Sequence, residues 1–399
     1  MPPYRRGFAV ICIVIPLLYL YWERLTASDT LRKFRSWHIT DMEGVFNNKL
    51  GFSNIFVINL PSRKDRRESI ALAGAVSNLT FTWIDGVSGE QATESVGSDG
   101  DESRRSGAKG SWRSHMNALQ VVVTENLTSA LILEDDIDWD VRLKSQLQTF
   151  SLASKTWLRE SGSNRHEIEL LGEIRGAGAT RFFSTTGTAR EAPYGDGWDV
   201  LWLGHCGADF PDPSSLISPL KITIPEDETV PAPKHLKPHP FALLDKLGEV
   251  YPPHTRVVHV SSGNVCSLAY AVSQEGARRL LSKFNDYYHA QWDIMLQKWC
   301  EGEYGADDKY QPDSGVDNDT QELKRRAPIC LTVQPPLFSH HYTKYGASNI
   351  QGQGGGYAKG TGTPYIRLSV RQNLERLVAG APQSEMVDQL PDDGDPIWG

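Results

Sequence analysis

The sequence predicts an α/β domain built on a mostly parallel, Rossmann-like sheet flanked by helices. Short β-branched apolar runs alternate with helical segments between residues 54 and 133, the pattern of strands joined by crossover helices. The run Leu131-Ile-Leu133 leads directly into Glu134, Asp135 and Asp136. Acids at such a strand end lie where open α/β sheets bind their ligands. A 399-residue chain that is 39% hydrophobic can also bury a large core.

Ahead of this domain, sixteen uncharged residues run from Gly7 to Trp22 after Arg5 and Arg6. A membrane span usually needs about 17–25 apolar residues, so this run is short. Tyr21-Trp22-Glu23-Arg24 follows where a cleavage site would place small residues, and Thr26-Ala27-Ser28 is only a weak site. The expectation is an uncleaved signal anchor (7–22), with a cytoplasmic tail (1–6) and a stem (23–50); a cleaved signal is the alternative. Basic residues flank the run on both sides, so charge alone leaves the orientation open. Sequons at Asn78, Asn126 and Asn318 fit a lumenal body, hence a single-pass type II protein of the Golgi or endoplasmic reticulum membrane. Cys12 lies in the apolar run. Cys206, Cys266, Cys300 and Cys330 allow two disulfides in three pairings, or four free buried thiols.

Within the domain, 54–60 reads as a strand stopped by Pro61, and 62–68 as the charged start of a helix. A second strand covers 81–84 and ends at Asp85-Gly86. Residues 88–107, rich in Ser, Gly, Glu and Asp, read as a mobile loop. Helical spacing of Trp112, Met116, Leu119 and Val123 predicts a helix over 111–125, and 129–133 is the next strand. Two insertions follow: 159–197, rich in Gly, Arg, Thr and Ser, and 209–256, with ten prolines. Between and after them, 198–204 and 266–272 read as strands. Ser273 caps a helix through Leu281, and a further helix opens at 290–293 and runs through Cys300. Residues 301–326 and 346–363 read as mobile, and the acidic 379–399 as a disordered tail.

The net charge of −8 argues against nucleic acid as a partner. Five carboxylates crowd into residues 134–140. Crowded carboxylates raise each other's pKa unless a cation neutralises them. Mg²⁺ and Mn²⁺ suit this place, because they accept one or two carboxylates plus substrate phosphates. In an extended segment, Glu134 and Asp136 would share one side and Asp135 the other. Asp138 and Asp140 read equally as helix caps. A calcium loop fails for want of Gly at its sixth position and Glu at its twelfth. A metal phosphohydrolase motif fails because Trp139 and Asp140 follow Asp136-Ile-Asp138.

Seven segments in order resemble glycosyltransferase family 25. They are Val57-Ile-Asn-Leu60 with Arg63, Asp65, Arg66 and Arg67; Trp83-Ile-Asp-Gly86; Gly107-Ala-Lys-Gly110 with Ser114-His115; Leu131 to Asp136; Leu201-Trp-Leu-Gly204; Ala269 to Leu281; and Pro335 to Ser339 with Ser348-Asn-Ile350. Ser111 stands where the family usually has Cys. The resemblance covers roughly residues 54–350 of a domain at 51–378.

This resemblance implies a GT-A fold, a nucleotide-sugar donor (a UDP-sugar), Mn²⁺ or Mg²⁺, and inversion at the anomeric carbon. The "DxD"-type motif falls on Glu134-Asp135-Asp136. It implies Asp136 as a metal ligand and Glu134 as a second ligand or a ribose contact, with His340 or His341 as a late ligand; surface histidines are the alternative. Asp293 is the expected catalytic base, with helix capping its alternative. Asn59, Leu60, Arg63, Arg67, Asp85, His115, Glu134 and Asp135 form the expected donor side. At least one of Arg63, Lys64, Arg66 and Arg67 is expected to be only a solvated face. The expected transfer is of galactose to a hydroxyl of a glycoprotein or glycan. A non-catalytic lectin-like or scaffold protein with the same fold is the alternative.

Overall fold

The computed structural model describes residues 44–95, 102–170, 192–213, 217–239, 242–304, 327–343 and 361–398. The anchor at 7–22, most of the stem, Asn318 and most of the stretches read as mobile at 301–326 and 346–363 lie outside the described residues. Among the described residues no helix is long and apolar enough to cross a membrane.

The architecture is mixed α/β. Strands β1 (Asn54–Asn59), β2 (Thr82–Asp85) and β3 (Ser129–Glu134) are parallel, with β1 in the middle. Then come β4 (Ile137–Trp139), β5 (Glu167–Glu169), β6 (Val200–Gly204), β7 (Lys221–Ile224), β8 (Arg256–Val260), β9 (Ala269–Ser273), β10 (Cys330–Gln334) and β11 (Phe338–His340). The main path runs β2-β1-β3-β9-β6-β10-β8-β7-β5, and β11 joins β4 to β6. β9 is antiparallel to both β3 and β6. Its start therefore lies beside the ends of β1 and β3, which brings residues 267–269 to the acid cluster.

Strand side chains alternate between two cores, as a pleated sheet requires. Leu131 and Leu133 face one core with Ile55, Val57, Leu201 and Leu203. That face is covered by α1 (Lys64–Val76) and α4 (Leu143–Glu160), through Ile70, Ala73, Leu147, Phe150 and Trp157. Ala130, Ile132, Phe56, Trp202 and Tyr270 face the other core. It is covered by α3 (Glu102–Thr124), α6 (Gln274–Phe284) and α7 (Trp292–Cys300), through Trp112, Met116, Leu119, Leu280, Phe284 and Trp292. The Ser273 hydroxyl caps α6 by accepting the Gly276 amide at 2.9 Å.

Several expectations are corrected. Residues 88–107 are not all loop, because α2 (Gly89–Ser95) and the start of α3 occupy much of them. Just beyond them, Gly110 serves close packing: a Cβ there would meet the Val87 carbonyl oxygen at 2.4 Å. Ser114 closes the same contact, accepting the Val87 amide at 2.8 Å and donating to the Gly110 carbonyl at 2.7 Å. The stem ends before 50, since Val45 and Leu50 are buried. The proline-rich 209–256 contains β7, the start of β8 and a short helix, α5 (Leu247–Val250).

The tail also has a defined course. A short helix, α8 (Leu374–Val378), precedes it, Leu390 is buried, and the Trp398 indole donates to the Lys237 carbonyl at 2.9 Å. Its acids pair rather than repel: Asp388 and Asp392 both lie against Arg367.

Candidate active site

One cavity of about 1080 Å³ opens at the carboxyl ends of β1 and β3. Glu134, Asp135 and Asp136 line it together with Leu60, Arg63, Arg66, His115, Asp293, His340, His341 and Arg371. Such a volume suits a nucleotide-sized ligand.

β3 ends at Glu134, and the chain turns through Asp135 and Asp136 before β4. This turn breaks the strand alternation expected for the three acids. Asp135 and Asp136 instead meet on one cation. Arg66 Nη1 donates to Asp135 Oδ1 at 2.8 Å and to Asp136 Oδ2 at 2.7 Å. Asn59 Nδ2 donates to Asp135 Oδ2 at 2.7 Å. Arg371 supports the turn from beyond, with Nη2 on the Asp135 carbonyl at 3.2 Å and Nε on the Ile137 carbonyl at 2.8 Å. His340 Nε2 lies 3.3 Å from Asp136 Oδ2.

These neighbours split the acids electrostatically. Burial works against ionisation of Asp136, but His340, Arg66 and Arg371 outweigh it and hold its carboxyl below the usual range. Asp135 is raised by burial and by the Asp136 charge. Glu134 is pushed up to about 8, by burial first and then by Asp136, and is therefore largely protonated at neutral pH. Its Oε1 accepts from the Ser267 hydroxyl at 3.0 Å. The other two acids of the run turn away from the cavity. Asp138 accepts from the Thr363 and Ser369 hydroxyls, and Asp140 accepts the Leu368 amide at 3.0 Å. They pin the 361–371 segment alongside β4.

The remaining expected residues divide. Asp293 lines the cavity, and its Oδ2 accepts the Cys266 amide at 2.8 Å. Cys266 is disulfide-bonded to Cys206, and Cys300 to Cys330, which decides the pairing. His115 is buried and its pKa falls to about 3 through burial, so it is neutral 4.0 Å from Glu134. Its ring stacks on Trp292, with Nδ1 3.0 Å from the Tyr270 hydroxyl. His341 lies against the Thr363 hydroxyl at 2.8 Å, and burial lowers its pKa to about 4. Arg63 lines the cavity but pairs with Asp65 at 2.7 Å. Asn59 acts through Asp135. Arg67 leaves the cavity and lies over the Trp83 ring at 4.2 Å. Asp85 is exposed at the end of β2 and is not among the lining residues.

Arg66, Arg371 and Ser267 were not among the expected site residues. Helical spacing carries the signal for Arg66: it precedes the buried Ile70 by four residues and Ala73 by seven. Arg371 and Ser267 come from segments with no local chemical pattern, and only the fold brings them in.

Among the described residues no three His, Cys, Asp or Glu side chains converge as a ready metal cage. A divalent ion would need substrate oxygens to complete its shell, the usual habit of Mg²⁺. Asp136 and His340 fit a partial site. Adjacent ligand atoms of an octahedral ion lie about 3 Å apart, and the two face each other at 3.3 Å. Asp136 Oδ1 and His340 Nδ1 are buried without a hydrogen-bond partner.

The model of glycosyltransferase family 25 (LPS biosynthesis protein) matches residues 52–175, the stretch that carries Asn59, Arg66 and the three acids. Residues 52–175 are thus similar to glycosyltransferase family 25. The chain is 32% identical over 114 residues to procollagen galactosyltransferase 1 of Danio rerio, covering 25% of this chain and 19% of the relative. It is 28% identical over 115 residues to procollagen galactosyltransferase 1-B of Xenopus laevis, covering 26% and 19%. It is 29% identical over 114 residues to the probable inactive glycosyltransferase 25 family member 3 of Bos taurus, covering 25% and 19%. The alignments thus span about a fifth of each relative's length, while Ser267, Asp293, His340 and Arg371 lie outside the stretch that the family model matches.

Proposed function

We propose that the protein is a metal-dependent, inverting glycosyltransferase of GT-A type. It moves a sugar, with galactose the first candidate, from a UDP-sugar to a hydroxyl of a glycoprotein or glycan in the secretory pathway. One observation carries this reading: the family's acids and Asp293 line the same large cavity at the carboxyl edge of the sheet. Two disulfides support an oxidising compartment.

Asp136 and His340 would hold Mn²⁺ or Mg²⁺, which when bound stabilises charge on the departing diphosphate. The chain's own residues perform the rest. Asp293 takes the proton from the acceptor hydroxyl. The Cys266 amide ties its Oδ2 and so orients the carboxylate. Glu134, on the cavity wall beside Ser267, contacts a donor hydroxyl. Asn59 and Arg371 keep the 135–136 turn in place.

A panel of UDP-sugars with Mn²⁺, read by nucleotide release, tests the proposal. Metal-stimulated turnover with at least one donor is expected. The D136A variant should lose it while keeping a cooperative thermal melt, since the substitution also removes a like charge beside Asp135. The probable inactive relative favours a non-catalytic binding protein as the second reading. Donor binding without turnover across the panel would select it.

A further inference from the structure

The paired acids already possess a cation. Arg66 enters the cavity from the first turns of α1 with a side chain only 16% exposed. A single nitrogen, Nη1, bridges Asp135 Oδ1 and Asp136 Oδ2. The bridged Asp136 Oδ2 is also the atom that His340 Nε2 faces. An ion held between Asp136 and His340 across this 3.3 Å gap would take that oxygen, and a guanidinium on the same atom repels a second cation at short range.

Arg371 is the other guanidinium nearby, and it is committed elsewhere. Its Nε, Nη1 and Nη2 donate to the Ile137 carbonyl, the Ser69 hydroxyl and the Asp135 carbonyl. Arg371 is therefore scaffold, whereas among the described residues the Arg66 side chain donates only to the carboxylate oxygens and can let go without unmaking the turn.

We propose that Arg66 is a built-in counter-ion that occupies the carboxylate pair in the free protein and is displaced when a divalent cation binds Asp136. The inference rests on the reading of Asp136 as a metal ligand. It explains how the acids stay folded together before any ligand arrives. It also makes metal and donor binding interdependent, because a donor diphosphate offers the released guanidinium a new anionic partner. By linkage, UDP tightens the metal and the metal tightens UDP.

Mn²⁺ titration of the full chain, with free Mn²⁺ followed by electron paramagnetic resonance, tests this without turnover. R66Q should bind Mn²⁺ about tenfold more tightly than wild type in the absence of UDP, and the tightening conferred by UDP should shrink. R66K should fall between, because an ammonium keeps the charge but lacks the planar fork. D136N should abolish Mn²⁺ binding. Equal affinity of wild type, R66Q and R66K, with D136N inactive in binding, overturns the counter-ion role and leaves the metal site standing. Absence of Mn²⁺ binding in every variant, with or without UDP, overturns both. If R66Q does not fold, R66K decides: affinity equal to wild type rejects the role, and several-fold tighter binding supports it.

Discussion

Asp293 has one oxygen fixed by the Cys266 amide, and the proposed reaction uses its carboxylate as the base. An Asn there can still accept the Cys266 amide, but it cannot take a proton. D293N is therefore expected to lower kcat by about 10²–10⁴-fold while the KM for the UDP-sugar changes little. Steady-state kinetics with calorimetric donor binding would check this, and a collapse of donor affinity would make Asp293 a binding residue instead. At this scale the sequence was only partly legible. The acids at 134–136 announce themselves because so much like charge at a strand end has few structural uses. The arginines do not, since Arg63, Arg66 and Arg67 are chemically alike and differ only in direction. Arg66 lies on the stripe of Ile70 and Ala73 and points inward, while Arg67 turns onto Trp83.

Among the elements, the strands and buried helices were readable from their apolar periods, because both faces of the sheet must be covered. The polar helices α2 and the start of α3 were not. Their residues bury little carbon, and the glycines that suggested a loop are there to let backbones touch. A Cβ on Gly89 would meet the Ser106 carbonyl carbon at 2.5 Å. The disulfides could be counted but not paired from sequence. Their placement separates them: Cys206 and Cys266 line the cavity, while Cys300 and Cys330 are fully buried. Limited treatment with a dithiol, followed by alkylation and mass analysis, should therefore label Cys206 and Cys266 first. Transfer should fall in step, because the Cys266 amide that orients Asp293 is released. Labelling of all four cysteines together would refute this order. In the chain-entropy model the 60-residue loop closed by Cys206–Cys266 stabilises the fold by about 4 kcal/mol, so its reduction should also lower the melting temperature.

Across the whole molecule, stability should depend on a carboxyl far from the acid turn. Asp245 is raised to about 6, mainly by burial, with the Asp209 charge adding and the Leu247 amide opposing. One of its oxygens is buried without a partner. A carboxyl raised on folding leaves stability intact below its unfolded pKa and erodes it as pH climbs through the folded value. D245N should therefore melt with wild type at pH 4 and above wild type at pH 8, measured by thermal denaturation. Equal melting at both pH values would place the cost elsewhere.

The support that Arg371 gives Asp135 reaches across 236 positions of chain. During synthesis on a ribosome, residues 52–175 emerge long before the arginine that braces their acidic turn. The unfinished polypeptide thus displays the acids without their brace, and a message cut short ahead of that codon would leave the turn unsupported.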